Sequence, residues 1–387
     1  MKNSPLTLWF ALYVALFAGL SAFALKQPTY TWDLLGYIGS SVTSSDPQVI
    51  YREAFTAIQP IRSNKGIQLE NPYRTDVAAN PFHFAEQLPL YSIKPAYVAL
   101  LKTLHRFGLP YPKSAVVISA ASNFVLAMLL WFWLSSHVDG IALFGASSLI
   151  MLSPNLLIIS RWATPDALAT FIAAFGLYLI LGREKHFWGS SLLVLDVWIR
   201  TDSIVLAGIV MFVLLLRGKL DFVQFASLSA LALASYFVIG HYSGDYGWNV
   251  LFYNSFLGGV TTPGETILHV TLKMYLAQVV KGVYLLLVDS GFALYALLAC
   301  LALWLRKSSL YTQMAAFVLG ARVISYLLYP NGDARYTAVL YVMVPIALVI
   351  AVSGVISDGL SVHTSVSGAT PRDMNNAALR QESLAAR

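Results

Sequence analysis

Long apolar runs separated by short polar connections constrain this chain more than any motif in it. Crossing a hydrocarbon core takes about 20 helical residues, and fewer where neighbouring helices shield the ends. Such runs cover Thr7 to Leu25, Lys113 to Leu134, Ile141 to Ile159, Asp221 to Ile239, Gly291 to Leu305, Tyr311 to Tyr329 and Tyr336 to Ile356. Shorter ones cover Asp166 to Leu181, Phe187 to Ile199 and Ser203 to Leu216. Composition agrees, since 57% of residues are apolar, 11% are charged and the mean hydropathy is +0.66, outside the soluble globular range. The expected fold class is all-α, a polytopic membrane bundle of about ten transmembrane helices.

Sidedness follows from Lys and Arg in short connections, which stay cytoplasmic. With the amino terminus inside, those connections carry Arg183, Lys185, Arg217, Lys219, Arg306 and Lys307. The opposite short loops hold Arg161, Arg200 and Arg335, each close in sequence to an acid, Asp166, Asp202 or Asp333. The first segment shares Lys2, an apolar run and Ala22-Phe23-Ala24 with cleavable signals, but its length favours a retained helix. The expected localisation is a bacterial-type inner membrane. A net charge of +6 does not indicate nucleic acid, because the basic residues form no concentrated stripe. Cys300 is the single cysteine, so no intramolecular disulfide exists.

The expected organisation is a membrane domain over 1–356 and a disordered cytoplasmic tail over 357–387. Two extracytoplasmic loops interrupt the domain, at 26–112 and 240–272. The first is long and proline-rich, and a long segment of this kind inside a compact architecture is usually functional. Within it, Leu34 to Val42 reads as a short helix aligning Asp33, Tyr37 and Ser41 along one side. Pro95 to Phe107 reads as an amphipathic helix in the interface plane.

Several residues are suited to chemistry. Asp33 follows the first apolar run at the membrane surface, among aromatic residues that can hold a sugar; its other reading is a helix N-cap. Asp46, followed by Pro47, reads as a turn or cap residue. Arg335 can grip a phosphate with two parallel hydrogen bonds, or it can pair with Asp333. Arg200 lies between two apolar half-length segments, with Asp202 able to neutralise it. Thr164-Pro165-Asp166 reads as an N-cap, a first-turn proline and an acid favoured by the helix dipole. Asp196 and Arg322 fall inside apolar runs, where they pair with each other or serve a proton-coupled transporter. Trp32, Tyr37, Tyr91, Tyr246 and Trp248 suit sugar stacking or an interfacial aromatic belt. The histidines, among them the outer-loop His83 and His241, show no zinc-type spacing, and no nucleotide-binding glycine motif occurs.

Taken in order, the loop Asp33, Pro89-Leu90-Tyr91, Pro165-Asp166-Ala167, Arg200-Thr201-Asp202 and Asp333-Ala334-Arg335-Tyr336 resemble the GT-C-type integral-membrane glycosyltransferases, the mannosyltransferase and aminoarabinose-transferase-like enzymes that use polyprenyl-phosphate sugars. The resemblance spans roughly Thr7 to Ile356. It implies Asp33 as catalytic base; the residues' own chemistry makes Arg335, Arg200, Tyr37, Trp32, Tyr336 and Asp166 the candidates for binding substrate. It also implies a polyprenyl-phosphate-linked sugar donor, a lipid, glycan or protein acceptor, and surrounding membrane lipid. One base suffices for such transfer, since the phosphate departs as an anion without an acid to protonate it. The paired acids of several branches are absent, which leaves a divalent cation as an open question and assigns no metal ligand. The alternatives are the transporter, built on Asp196 and Arg322, and a noncatalytic partner that keeps the fold.

Overall fold

The computed structural model describes residues 4–63, 65–69, 71–266 and 268–367. Helix α1 (Ser4–Lys26) leads into six short helices, α2 (Asp33–Ser41), α3 (Pro47–Ile58), α4 (Pro72–Ala79), α5 (Pro81–Gln87), α6 (Pro89–Ser92) and α7 (Pro95–Arg106). The prolines of this segment are helix starters: α3 to α7 each open on one, where a fixed φ and a missing N–H cost nothing. Asp46, Asn71 and Asn80 cap three of these helices by accepting backbone N–H bonds from Gln48, Arg74 and Phe82. What the sequence presents as a long loop is a packed helical cap. Its core joins Leu34, Tyr37, Ile38, Ile50, Phe84 and Tyr97 to Tyr111 and Val116.

The last two belong to α8 (Tyr111–Leu134), the most enclosed long helix. The chain continues through α9 (Gly140–Met151), α10 (Pro154–Arg161), α11 (Asp166–Leu181), α12 (His186–Asp196), α13 (Ser203–Leu216) and α14 (Phe222–Ser243). It then passes α15 (Trp248–Phe256), α16 (Leu272–Tyr284), α17 (Phe292–Leu305), α18 (Leu310–Leu328) and α19 (Ala338–Ser367). Among the described residues the only strand-like pairing is an isolated bridge between Thr29 and Trp162. The structure is therefore all-helical.

Five helices are long and apolar enough to cross a membrane, or seven if each of two bent pairs counts as one span. The run expected as one helix over Ile141 to Ile159 is broken by 61° between α9 and α10. Pro154 causes the break, since it lacks an N–H and biases Ser153 away from helical backbone; Ser153 has ψ 135°. The other bend, 64°, lies between α16 and α17, where a π-helical turn, Leu285–Asp289, is followed by Gly291 with φ +67°. Helices α11 and α13, at about 1.5 Å per residue, reach only about 24 and 21 Å. The last helix runs past the expected tail boundary to Ser367, and the rest of that tail, 368–387, lies outside the described residues.

Connections alternate between two ends of the bundle. At one end Arg306 pairs with Asp358, Tyr311 donates to the Leu181 carbonyl, and Ser353 donates to the His137 carbonyl. At the other, the helical cap meets the connections after α10, α12, α14 and α18: Thr29 bridges Trp162, Ala96 N–H donates to the Trp198 carbonyl, and Ser243 donates to the Ser92 carbonyl. Large apolar side chains such as Leu8, Phe132, Leu149, Phe237 and Leu297 point outward from the bundle, as a lipid-facing surface requires.

Two glycines let the cap close. A Cβ on Gly36 would lie 2.2 Å from the Tyr91 ring, and one on Gly39 would lie 2.7 Å from Leu88. Gly36→Ala should therefore destabilise the protein by about 1–3 kcal/mol through overpacking. A fall in the thermal midpoint of the detergent-solubilised protein would register it, and an unchanged midpoint would show that Tyr91 moves freely.

Candidate active site

Asp33 is set in place from both sides. Thr29 N–H donates to the Arg161 carbonyl at 2.9 Å, Ala163 N–H donates to the Thr29 carbonyl at 3.2 Å, and Ser119 of α8 donates to the Trp162 carbonyl at 2.6 Å. These bonds pin the chain before α2 to the connection before α11. Asp33 is not an N-cap: that position is Trp32, in helical conformation and with no side-chain cap bond. The carboxylate instead accepts from Arg335 Nη1 at 2.9 Å, across 302 positions of sequence.

Arg335 is held by a second acid. Asp333 caps the short 3-10 turn Ala334–Thr337, accepting the Arg335 backbone N–H at 3.1 Å, and its other oxygen lies 3.3 Å from Arg335 Nε. The pairing of Arg335 with Asp333 expected from the sequence is present, and Arg335 also reaches Asp33. Side-chain exposures of 22% for Arg335 and 29% for Asp33 leave the pair open to a ligand.

A buried network lies beside it. Arg200 donates through Nη1 to Asp166 Oδ1, and through Nε and Nη2 to Asp202 at 3.0 and 2.9 Å. Thr164 donates its hydroxyl to the Asp166 carboxylate at 2.6 Å and makes no cap bond to the helix, which corrects the N-cap reading; position N-cap is Pro165. The ring of Tyr336 lies under three guanidinium carbons, Arg200 at 4.5 Å, Arg335 at 5.3 Å and Arg322 at 5.8 Å. Arg200 is 7% exposed and committed to two carboxylates, so it shapes the wall more than it offers free donors.

Lys94, just before α7, is a site residue that the sequence reading did not single out. Its Nζ lies 5.1 Å from the Tyr37 ring centre, and it makes no ion pair among the described residues. Burial pushes its pKa down to about 8; Asp33 opposes the shift, while Arg200 and Arg335 add to it. Burial works to raise the Asp33 carboxyl, yet Arg335, Lys94 and Arg74 outweigh it and hold the group below the usual carboxylate range. Nothing in a lone Lys-Pro step separates such a lysine from a surface one.

The Asp33–Arg335 pair forms a wall shared by two cavities. One, of about 130 Å³, is lined by Tyr37, Tyr91, Lys94, Asp166, Arg200 and Tyr336. The other, of about 630 Å³, opens toward Trp32, Asn71, Tyr73, Arg74, Asn254 and Asn331. All seven candidate site residues therefore line one or the other. The aromatic assignments need correcting in their geometry: Tyr37 is 2% exposed, edge-on to Tyr91 and Tyr97, and the Trp32 face is covered by Arg74 at 5.4 Å. Neither offers an open stacking face. Tyr246 and Trp248 donate to the carbonyls of Glu86 and Leu328 and line neither cavity, and His83 pairs with Asp76.

Asp196 and Arg322 are 2% and 5% exposed and line a third cavity of about 70 Å³, but they form no ion pair with each other. Asp196 accepts from Ser203 at 2.7 Å, and Arg322 donates to the Asn331 carbonyl. Among the described residues no group of three His, Cys, Asp or Glu side chains is arranged to hold a metal ion. Compared with protein-family models, with characterised proteins and with solved structures, the chain matches none.

Asp166→Asn should leave Arg200 half-neutralised in a buried setting and destabilise the fold by about 3 kcal/mol. Thermal unfolding in detergent reads this, and a wild-type midpoint would mean that Asp202 alone suffices.

Proposed function

We propose that this chain is a GT-C-type membrane glycosyltransferase that moves a sugar from a polyprenyl-phosphate donor to an acceptor on the extracytoplasmic face. The observation that carries the reading is the juxtaposition of one ionised carboxylate, Asp33, with Arg335 and Lys94 around a small polar cavity at the end of an apolar helix bundle. A lipid-borne anionic substrate needs a cationic pocket near the bilayer, and the cations lining this cavity support that reading. The positive-inside rule supports the sidedness, because Arg183, Lys185, Arg217, Lys219, Arg306 and Lys307 gather in the connections at the opposite end. Ten crossings in an inner membrane are consistent with that alternation, with α11, α12 and α13 as short packed spans.

In the proposed reaction the donor phosphate binds Arg335 and Lys94, while Arg200 and Asp166 hold the wall beneath Tyr336. An acceptor O–H gives its proton to Asp33 as its oxygen attacks the anomeric carbon. The bond from that carbon to the phosphate oxygen breaks, its electron pair leaves with the polyprenyl phosphate, and the configuration inverts. The guanidinium and ammonium groups stabilise the charge that develops on the leaving group. Donor binding also tunes the base: a phosphate that neutralises Arg335 and Lys94 removes the charges holding Asp33 low, so its basicity rises once the donor has arrived.

Asp33→Asn should lower kcat about 1,000-fold, the scale of a lost general base, with donor binding retained. Transfer at the wild-type rate by the folded variant would refute the assignment of the base. Lys94 is charged below about 8 and neutral above it, so donor affinity should weaken as pH rises through that value. Lys94→Gln should remove this limb of the KM profile. A wild-type KM that stays flat from pH 7 to 9 would take Lys94 out of the donor site.

A further inference from the structure

The Asp33–Arg335 pair divides the site unequally, and the larger side has a distinct chemistry. Its cavity of about 630 Å³ is ample for a small-molecule ligand. Three asparagines on its wall have their amide orientation set by the backbone. Asn71 Oδ1 accepts from Arg74 N–H at 2.8 Å, Asn254 Oδ1 from Val260 N–H at 2.9 Å, and Asn331 Oδ1 from Asp333 N–H at 2.9 Å. A backbone N–H can only donate, which fixes each amide oxygen as the acceptor and each NH2 as a donor, that of Asn254 partly engaged by the Tyr73 oxygen. Arg74 and Arg335 add two guanidinium groups, and among the described lining residues Asp33 is the one carboxylate.

Such a wall selects a ligand rich in hydrogen-bond acceptors with one donor to offer Asp33. A lipid chain would offer these amides and guanidinium groups no hydrogen-bond acceptor. The Tyr91, Ser255 and Tyr329 hydroxyls on the same wall can donate or accept, as saccharide hydroxyls can. Saccharide oxygens match the amides, and a charged group matches Arg74, whose planar fork lies braced over Trp32 at 5.4 Å. We propose that this cavity is the acceptor site and takes a saccharide bearing an anionic group, a carboxylate or a phosphate ester. The inference rests on the glycosyl-transfer reading, in which the smaller cavity receives the donor phosphate.

The test is calorimetric binding of trigalacturonate and its methyl ester to the purified full-length protein without donor. Galactose 6-phosphate and galactose form a second pair that separates phosphate from carboxylate recognition. At least one acid should bind about tenfold more tightly than its uncharged partner, the scale of a charge-assisted contact. Arg74→Gln should reduce that preference to within about twofold, and raised salt should weaken it. Asn71→Asp, which keeps the capping oxygen while adding negative charge to the wall, should do the same and covers the case in which Arg74→Gln does not fold. Equal binding of acid and uncharged partner, a preference that survives both substitutions, or no binding of any saccharide would overturn the proposal. Acid binding by a protein that performs no transfer would instead remove the transfer reading and leave the anionic-saccharide site standing. Transfer to uncharged acceptors unaffected by Arg74→Gln would do the reverse.

Discussion

A carboxylate at the start of α2 and a guanidinium before α19 meet at 2.9 Å, and the candidate site at this end of the bundle is arranged around that contact. Neither residue is near the other in sequence, so the contact exists only once the cap, α11 and the last helix have docked. Most of the charge in this setting is paired. Asp33 has Arg335, Arg335 also has Asp333, and Arg200 holds Asp166 and Asp202. The result is a chain of alternating charges along the inner rim of the cavities, with Lys94 and Arg322 as cations outside any ion pair among the described residues.

Rigidity and access are divided between the two halves of this network. The Asp166–Arg200–Asp202 half is fixed by charge-assisted hydrogen bonds and by Thr164, with two of its members deeply buried. The Asp33–Arg335 half is partly exposed and spread over three charged groups, so one contact can be exchanged without leaving a buried charge alone. Exchange of contacts is therefore open to the partly exposed half and closed to the buried one. Helix α2 supports this division, because Gly36 and Gly39 let Tyr91, Leu88 and Phe84 close directly on its backbone.

Much of the candidate site was legible before any coordinates. The Asp33 region, the Arg200-Thr201-Asp202 step and the Asp333-Arg335 turn stand out because charges beside apolar runs are costly, and cost marks position. Lys94 was missed for the opposite reason: it lies in a polar segment, where a lysine carries no anomaly. Tyr37 and Trp32 were placed at the site, but their ring faces are spent on Tyr91, Tyr97 and Arg74, a matter of packing that no spacing rule encodes. Asp196 and Arg322 reach one cavity without pairing, because Ser203 and the Asn331 carbonyl offer them nearer partners.

Hydropathy by itself determined the all-helical class, the succession of apolar helices and the alternation of basic and neutral connections, since each depends on local composition and on the length a helix needs. Proline positions determined where the short cap helices begin, and Pro154 where α9 gives way to α10. Only the tertiary structure decided that the long polar segment is a packed cap, that Asp33 faces Arg335 instead of capping its helix, and that the pair stands between a small cationic pocket and a larger amide-lined one. Those outcomes depend on which surfaces meet across hundreds of residues, and sequence periodicity carries no record of distance in space.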